Sequence, residues 1–465
     1  MSVGIDRRRF LLRSGGIAAA AHGWRAASVL AQVSPGERPV QDDDAEILFP
    51  RDRLPLTFII DDSTCLVNMG HFCIPQFHAC YPDRTVYQKP WQTFPREIPD
   101  SFVREFGEWC ASRGVKGKYS IVPYPACTGW LDRELPGWSR RDLQNSIQLV
   151  RELLMPNWDI HPEMITHTRV IDLKTGRPLQ EISPSTMENS WPREKRSVDE
   201  IAEYLAYALR ILRNCGLPCE GITTPGGFGN MVKSELSLAV QQAVRDVFPV
   251  EIPHYFKYVI DGAGSTEPTL EHVSGLASGR PDLTVNIPAG TGDWFGGWEG
   301  DVEPRPDLYA NEEATSGRLV ELLLRGQPGF FLCHWPGMYS NGSKDGFHAF
   351  QRVVDSIHAG FHDRVLWMKL SEIARYWATK ELTSVRRTDT GVMLESPFAC
   401  PDLTLRLPAG ASGGSLRLIA GEQQEQLQEV RRRQDLNTGT WFRDDDQITA
   451  CFSCRRGRNE LQLTN

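Results

Sequence analysis

At 465 residues the chain has room for one large domain of barrel size and a smaller second one, and a sizeable hydrophobic core is assured. A formal net charge of −8 leaves no basic footprint for nucleic acid or an anionic membrane surface, so a neutral or small polar substrate is the class left standing. The 11 cysteines form no four-thiolate zinc pattern. Cys73 with Cys80, Cys215 with Cys219 and Cys451 with Cys454 are spaced for disulfides in an oxidising compartment, and buried free thiols fit equally well.

Residues 1–31 open with Arg7-Arg8-Arg9-Phe10-Leu11-Leu12, continue in a small apolar run over 15–21, and end at Val29-Leu30-Ala31. This order resembles a twin-arginine signal peptide, which implies export through the Tat translocon to the periplasm or beyond. A basic amphipathic terminus is the plainer alternative. Residues 32–50, rich in Asp, Pro and Glu, read as a linker, and no later run is long enough for stable membrane insertion.

The ordered part begins with Thr57-Phe58-Ile59-Ile60-Asp61-Asp62, an apolar strand that surfaces at two adjacent carboxylates. Adjacent carboxylates repel unless a cation or a shared proton relieves them, so this stretch points to a metal; an Asp-Asp-Ser turn is the alternative. The spacing then predicts a helix over 101–112, a strand over 118–122, and a helix opened by Ser139 with Leu143, Ile147, Val150 and Leu154 on one face. A Pro- and Ser-containing loop runs to about residue 196, where Ser197 and Glu200 form a capping box for a helix ending at Gly216. Further strands are predicted at 219–223, 255–260, 283–287, 330–333 and 365–368, with helices at 234–247, 312–324, 347–358 and 371–379.

This alternation predicts an α/β fold with a (β/α) barrel of about seven strands over 51–381. From 382 to 465 short alternating strands at 392–394, 403–407, 415–419 and 448–452 predict a small β-rich domain, with 422–433 either helix or charged loop. In such a barrel the loops after the strands share one face. That brings together Asp61, Asp62, Tyr124, His161, His167, Thr223, Thr224, Asp261, Asp293 and His334. Asp62 with His161 and His167 would make a carboxylate and two-histidine site for zinc, with manganese, cobalt or nickel as alternatives.

Ordered motifs over roughly 54–379 resemble the NodB-type polysaccharide deacetylases of carbohydrate esterase family four. Thr57 to Asp62 is similar to that family's first motif, which implies Asp61 as catalytic base and Asp62 as metal ligand. Gly292-Asp293-Trp294 is similar to its later Asp-Trp motif, and Phe331-Leu332-Cys333-His334 to its closing Leu-x-x-His, implying His334 as general acid. Tyr124, Gly227, Asp293 and Trp294 are the expected substrate-binding residues. The pattern departs in two places. His161 and His167 are six residues apart with Pro162 between them, and Thr223-Thr224-Pro225-Gly226-Gly227 lacks the family's base-orienting Arg.

The resemblance implies an exported, metal-dependent hydrolase that removes N-acetyl groups from an amino-sugar polysaccharide or oligosaccharide, its partner being a carbohydrate or other small acylated substrate. The alternatives are a hydrolase of a non-sugar amide or ester on the same fold, or an inactive carbohydrate-binding barrel. A glycoside hydrolase using Asp61 with a distant carboxylate is a third, one that needs no histidine ligands.

Overall fold

A computed structural model describes residues 33–42, 44–409, 414–444 and 446–464, so the expected signal peptide lies outside the described residues. In chain order, the larger domain contains β1 (Leu54–Asp61), α1 (Met69–Cys80), α2 (Asp100–Ser112), β2 (Gly117–Ile121), α3 (Arg140–Leu149), β3 (Trp158–Pro162), α4 (Val198–Asn214) and β4 (Gly221–Thr223). It continues with α5 (Lys233–Val247), β5 (His254–Phe256), β6 (Thr269–Ser274), β7 (Asp282–Asn286), α6 (Arg318–Leu324), β8 (Gly329–His334), α7 (Asp345–Phe361), β9 (Val365–Trp367) and α8 (Leu370–Leu382).

β1 is buried along its whole length, as a parallel strand covered on both faces must be. It lies between β8 and β2, with β3 beyond β2 and β9 against its first residues, all parallel. A second sheet runs β4-β5-β7-β6, in which only β6 is antiparallel. The two sheets meet at both margins. Glu163 forms a parallel bridge with Thr223, and Gly290 N donates to Phe330 O at 2.6 Å. The result is a mixed α/β fold that curls toward a barrel and gathers the carboxyl ends of β1, β3 and β4 on one face. Phe58 of β1 anchors its core, stacked 4.3 Å from Phe350 and tilted against Phe331 at 4.8 Å; burying one such ring is worth about 2–3 kcal/mol.

Local chemistry explains where the elements differ from the pattern. α1 is not among the predicted elements and carries Pro75 in its interior; Asn68 caps the helix by accepting from Gly70 N, and the helix continues through the proline. The helix predicted over 312–324 shortens to α6 because the Asn311 side chain accepts from Thr315 N and Ser316 N, holding a turn that ends at Gly317 with φ 110°.

The C-terminal part is β-rich. Its strands are β10 (Ser384–Thr388), β11 (Gly391–Ser396), β12 (Cys400–Pro408), β13 (Ser415–Ala420), β14 (Gln423–Glu429), β15 (Thr440–Asp444), β16 (Gln447–Cys454) and β17 (Gly457–Thr464). They are ordered β12-β16-β15-β14-β13-β17-β11-β10. The stretch expected as helix or loop is β14, whose sequence hides its period because Leu427 alone turns inward, opposite Leu416. Part of the expected linker belongs to this sheet, since Glu46–Ile47 pairs antiparallel with β12. All 11 cysteines are free thiols. No described helix is long and apolar enough to cross a membrane.

Candidate metal centre

The carboxyl end of β1 turns sharply at Asp62, which sits at φ 58° with its amide donating to Glu163 Oε2 at 2.7 Å. β3 ends at Pro162, and an irregular turn with Met164 at φ 52° and His167 at φ 64° carries Glu163 and His167 back toward Asp62. His167 Nε2 lies 2.7 Å from Asp62 Oδ1 and 3.4 Å from Glu163 Oε1. One ligand atom from each of these three buried residues falls within 4.8 Å of the other two. Burial opposes charge on His167, but the two carboxylates overcome it and hold its pKa well above the ordinary range. Two oxygens and one imidazole nitrogen converging this closely are a fit donor set for a divalent ion.

Beside this cluster Asp61 is held by Lys118, which is fully buried on β2 and also donates to Ile60 O and Ser120 Oγ at 2.8 Å each. Burial raises the Asp61 pKa to about 6, with Lys118 pulling it down and Glu163 pushing it up. At the end of β8, His334 Nδ1 donates to Asp293 Oδ2 at 2.8 Å and the His334 amide donates to the same oxygen. Burial lowers the His334 pKa, yet Asp293, Asp62 and Asp61 together raise it to about 10. The His334 side chain remains 24 % exposed, whereas that of Asp62 is 2 % exposed, so the imidazole faces outward where the carboxylate does not.

An aromatic wall flanks His167. Phe77 meets its ring edge-on at 6.2 Å, Trp298 meets Phe77 at 5.7 Å, and Tyr87 meets Trp298 at 5.8 Å. Trp298 and Trp294 are half-buried, and Trp294 N donates to Tyr309 OH, which donates in turn to Leu332 O of β8.

The structure therefore brings together Asp61, Asp62, His167, Asp293 and His334, and it does not bring His161 to the cluster. His161 is fully buried, with Nε2 3.0 Å from His254 Nε2 and Nδ1 3.4 Å from Thr223 Oγ1. Desolvation and the neighbouring His254 keep its pKa well below the usual value. It points from β3 between β4 and β5, whereas Glu163, which alternation would put on the same face, lies beyond the strand end at Pro162. Among the expected substrate contacts, Tyr124 stacks on Trp130 at 4.0 Å, and Gly227 N donates to Asn189 O at 2.8 Å. Asp293 serves His334, and Asp261 is exposed.

Three residues escaped the sequence reading. Glu163 had a signal, being four residues before His167 and next to a strand end. Lys118 had one too, since a lysine inside an apolar strand needs a buried partner. Glu188, which binds the turn carrying His167, had none, because 21 residues separate them.

No protein-family model matches the chain, and no curated protein does. Solved structures similar to it include the glycoside hydrolase family 30 subfamily 8 xylanase Xyn30A from Clostridium acetobutylicum, at 9 % identity and TM-score 0.27, covering 91 % of this chain and 100 % of that one. Another is the catalytic domain of the family 30 xylanase C from Talaromyces cellulolyticus, at 9 % identity and TM-score 0.24, with 90 % and 100 % covered. These findings correct the expectation of a NodB-type polysaccharide deacetylase and of N-acetyl removal: the structures found are xylanases. The fallback readings, a same-fold amide or ester hydrolase and an inactive carbohydrate-binding barrel, gain nothing from them either. At this identity and TM-score the xylanase likeness carries no argument about activity.

Proposed function

We propose that the chain is a hydrolase dependent on one divalent ion held by Asp62, Glu163 and His167. The observation that carries this reading is the meeting of that donor set with two proton-handling pairs, Asp61 with Lys118 and His334 with Asp293, at the carboxyl ends of neighbouring strands. A divalent ion bound there would supply Lewis acidity and acidify a water molecule. Lys118 fixes Asp61 through Oδ1, leaving Oδ2 to accept a proton. Asp293 fixes the His334 ring through Nδ1, leaving Nε2 to deliver a proton to the leaving atom. Two carboxylates beside one imidazole suit zinc and manganese, with cobalt and nickel as substitutes.

The half-buried Trp294 and Trp298 offer flat apolar faces beside these groups, which suits a saccharide ring as substrate. The terminal arginine motif adds export by the Tat pathway to the proposal. The test is elemental analysis of purified protein together with release of reducing ends from a panel of oligosaccharides, with and without chelator. One ion per chain and a chelator-sensitive hydrolysis support the reading. An ion-free protein that still hydrolyses its substrate after exhaustive chelation contradicts it.

A further inference from the structure

The turn that carries Glu163 and His167 is an unusual place for two ligands. Residues four apart meet easily on a helix, but here Met164 and His167 both adopt positive φ, and neither is a glycine. Such a conformation persists only when its surroundings over-determine it. Tyr124 N and Ala126 N hold the carbonyls of Ile165 and Thr166 from one side, and a single carboxylate holds the amides of the turn from the other. Glu188 is completely buried, and three successive amides of the turn converge on it. Ile165 N donates to Oε1 at 3.2 Å, Thr166 N to Oε2 at 3.0 Å, and His167 N to Oε2 at 2.5 Å.

Two further contacts anchor the carboxylate. Tyr204 of α4 donates its hydroxyl to Oε1 at 2.6 Å, and Glu188 N donates to Thr168 O at 2.7 Å, closing the turn from the other side. Thr166 Oγ1 accepts from Thr168 N, so the residue between the clamped amides is fixed as well. A buried carboxylate with no lysine or arginine bonded to it is costly, and an amide would spare that cost. Only an acceptor-only group satisfies four donors arriving on both oxygens.

We propose that Glu188 is the positioning residue of the metal centre, setting the separation of Glu163 and His167 by gripping the three amides between and at them, without touching the ion. This rests on the metal reading above. Glu188 acts here as hydrogen-bonded groups behind metal ligands do elsewhere, but through the backbone rather than through the imidazole, whose loss typically costs ten- to a hundredfold in metal affinity.

The test measures zinc affinity by competition with a chromophoric chelator, alongside thermal unfolding of the zinc-free proteins and the absorption spectrum of their cobalt forms. Three variants are compared. Glu188→Ala removes the grip. In Glu188→Gln the amide oxygen can serve Thr166 and His167 while its NH₂ group faces Ile165 N. Tyr204→Phe removes the anchoring bond to Glu188 and the acceptor of Ile171 N, and no contact to the clamped amides. The expected result is one zinc per chain throughout, with the dissociation constant raised about tenfold or more in Glu188→Ala, by less in Glu188→Gln, and by no more than about twofold in Tyr204→Phe even though its unfolding temperature falls. The cobalt spectrum should change in the two Glu188 variants alone.

If Glu188→Ala does not fold, Glu188→Gln decides. Zinc affinity and a cobalt spectrum equal to those of the parent, in whichever Glu188 variant folds, overturn the proposal while leaving the metal centre standing. So does an affinity loss in Tyr204→Phe as large as in the Glu188 variants, which would make the effect one of general stability. A parent protein that binds no zinc removes the metal centre itself, a different failure that the first titration reveals.

Discussion

Lys118→Met is the perturbation whose consequences follow most directly from the structure. The lysine is fully buried and gives its three hydrogen bonds to Asp61, Ile60 O and Ser120 Oγ. Removing one partner of a buried pair costs about 3–5 kcal/mol, a large share of the 5–15 kcal/mol that holds a typical domain together. The loss should depend on pH in a defined direction. Asp61 already has its folded pKa raised from 3.8 to about 6, so its contribution is fully present below 3.8 and is lost as pH rises through 6, a swing of roughly 3 kcal/mol. Without the ammonium group the folded value climbs further, and the window of loss extends upward into neutral pH. Urea denaturation of metal-free protein, followed by tryptophan fluorescence, should therefore show a larger deficit at pH 8 than at pH 5. A deficit equal at both pH values, or below about 1 kcal/mol at both, refutes the argument that Lys118 exists to carry a buried Asp61 charge.

Two other outcomes are expected. His334→Gln should lower turnover on the order of a hundredfold or more while leaving ion content unchanged, since the ring donates to Asp293 and is not in the donor set; elemental analysis and initial rates on the same sample check both halves. His254 is buried with its pKa lowered by desolvation, so the folded chain binds fewer protons there than the unfolded one: stability is intact above about 6.5 and declines as pH falls below it. Urea midpoints between pH 7 and 5 should fall less in His254→Gln than in the parent.

What the sequence revealed of this fold and site follows from how local each signal is. The strand ending at Asp61-Asp62, the capping box at Ser197 and the helix behind it are local patterns, and all three stand in the structure. α1 was hidden because Pro75 is tolerated once Asn68 caps the helix and the face packs, and packing is not local. At the site, Asp62 and His167 were legible, but the histidine pair drew attention away from the carboxylate between them. His161 and Glu163 stand on successive same-face positions in sequence, yet the strand ends between them, and the bridge from Glu163 to Thr223 redirects the chain. The missing arginine is visible in the sequence; that Lys118 meets Asp61 instead depends on β1 and β2 pairing in register, which places Tyr119 beside Ile60 and the lysine one position below it. The motif resemblance rested on these same short stretches, which is why it could be persuasive over six residues and fail over the whole chain.

In the proposed metal centre the ion is held by Glu163 rather than by His161. Elemental analysis after zinc loading of Glu163→Ala and His161→Gln, each checked for folding by circular dichroism, separates the two directly. The Glu163 assignment predicts one ion per chain in the parent and in His161→Gln, and loss of the ion in Glu163→Ala. Retention in Glu163→Ala with loss in His161→Gln would contradict it, and would return the second ligand to the fully buried imidazole beside His254.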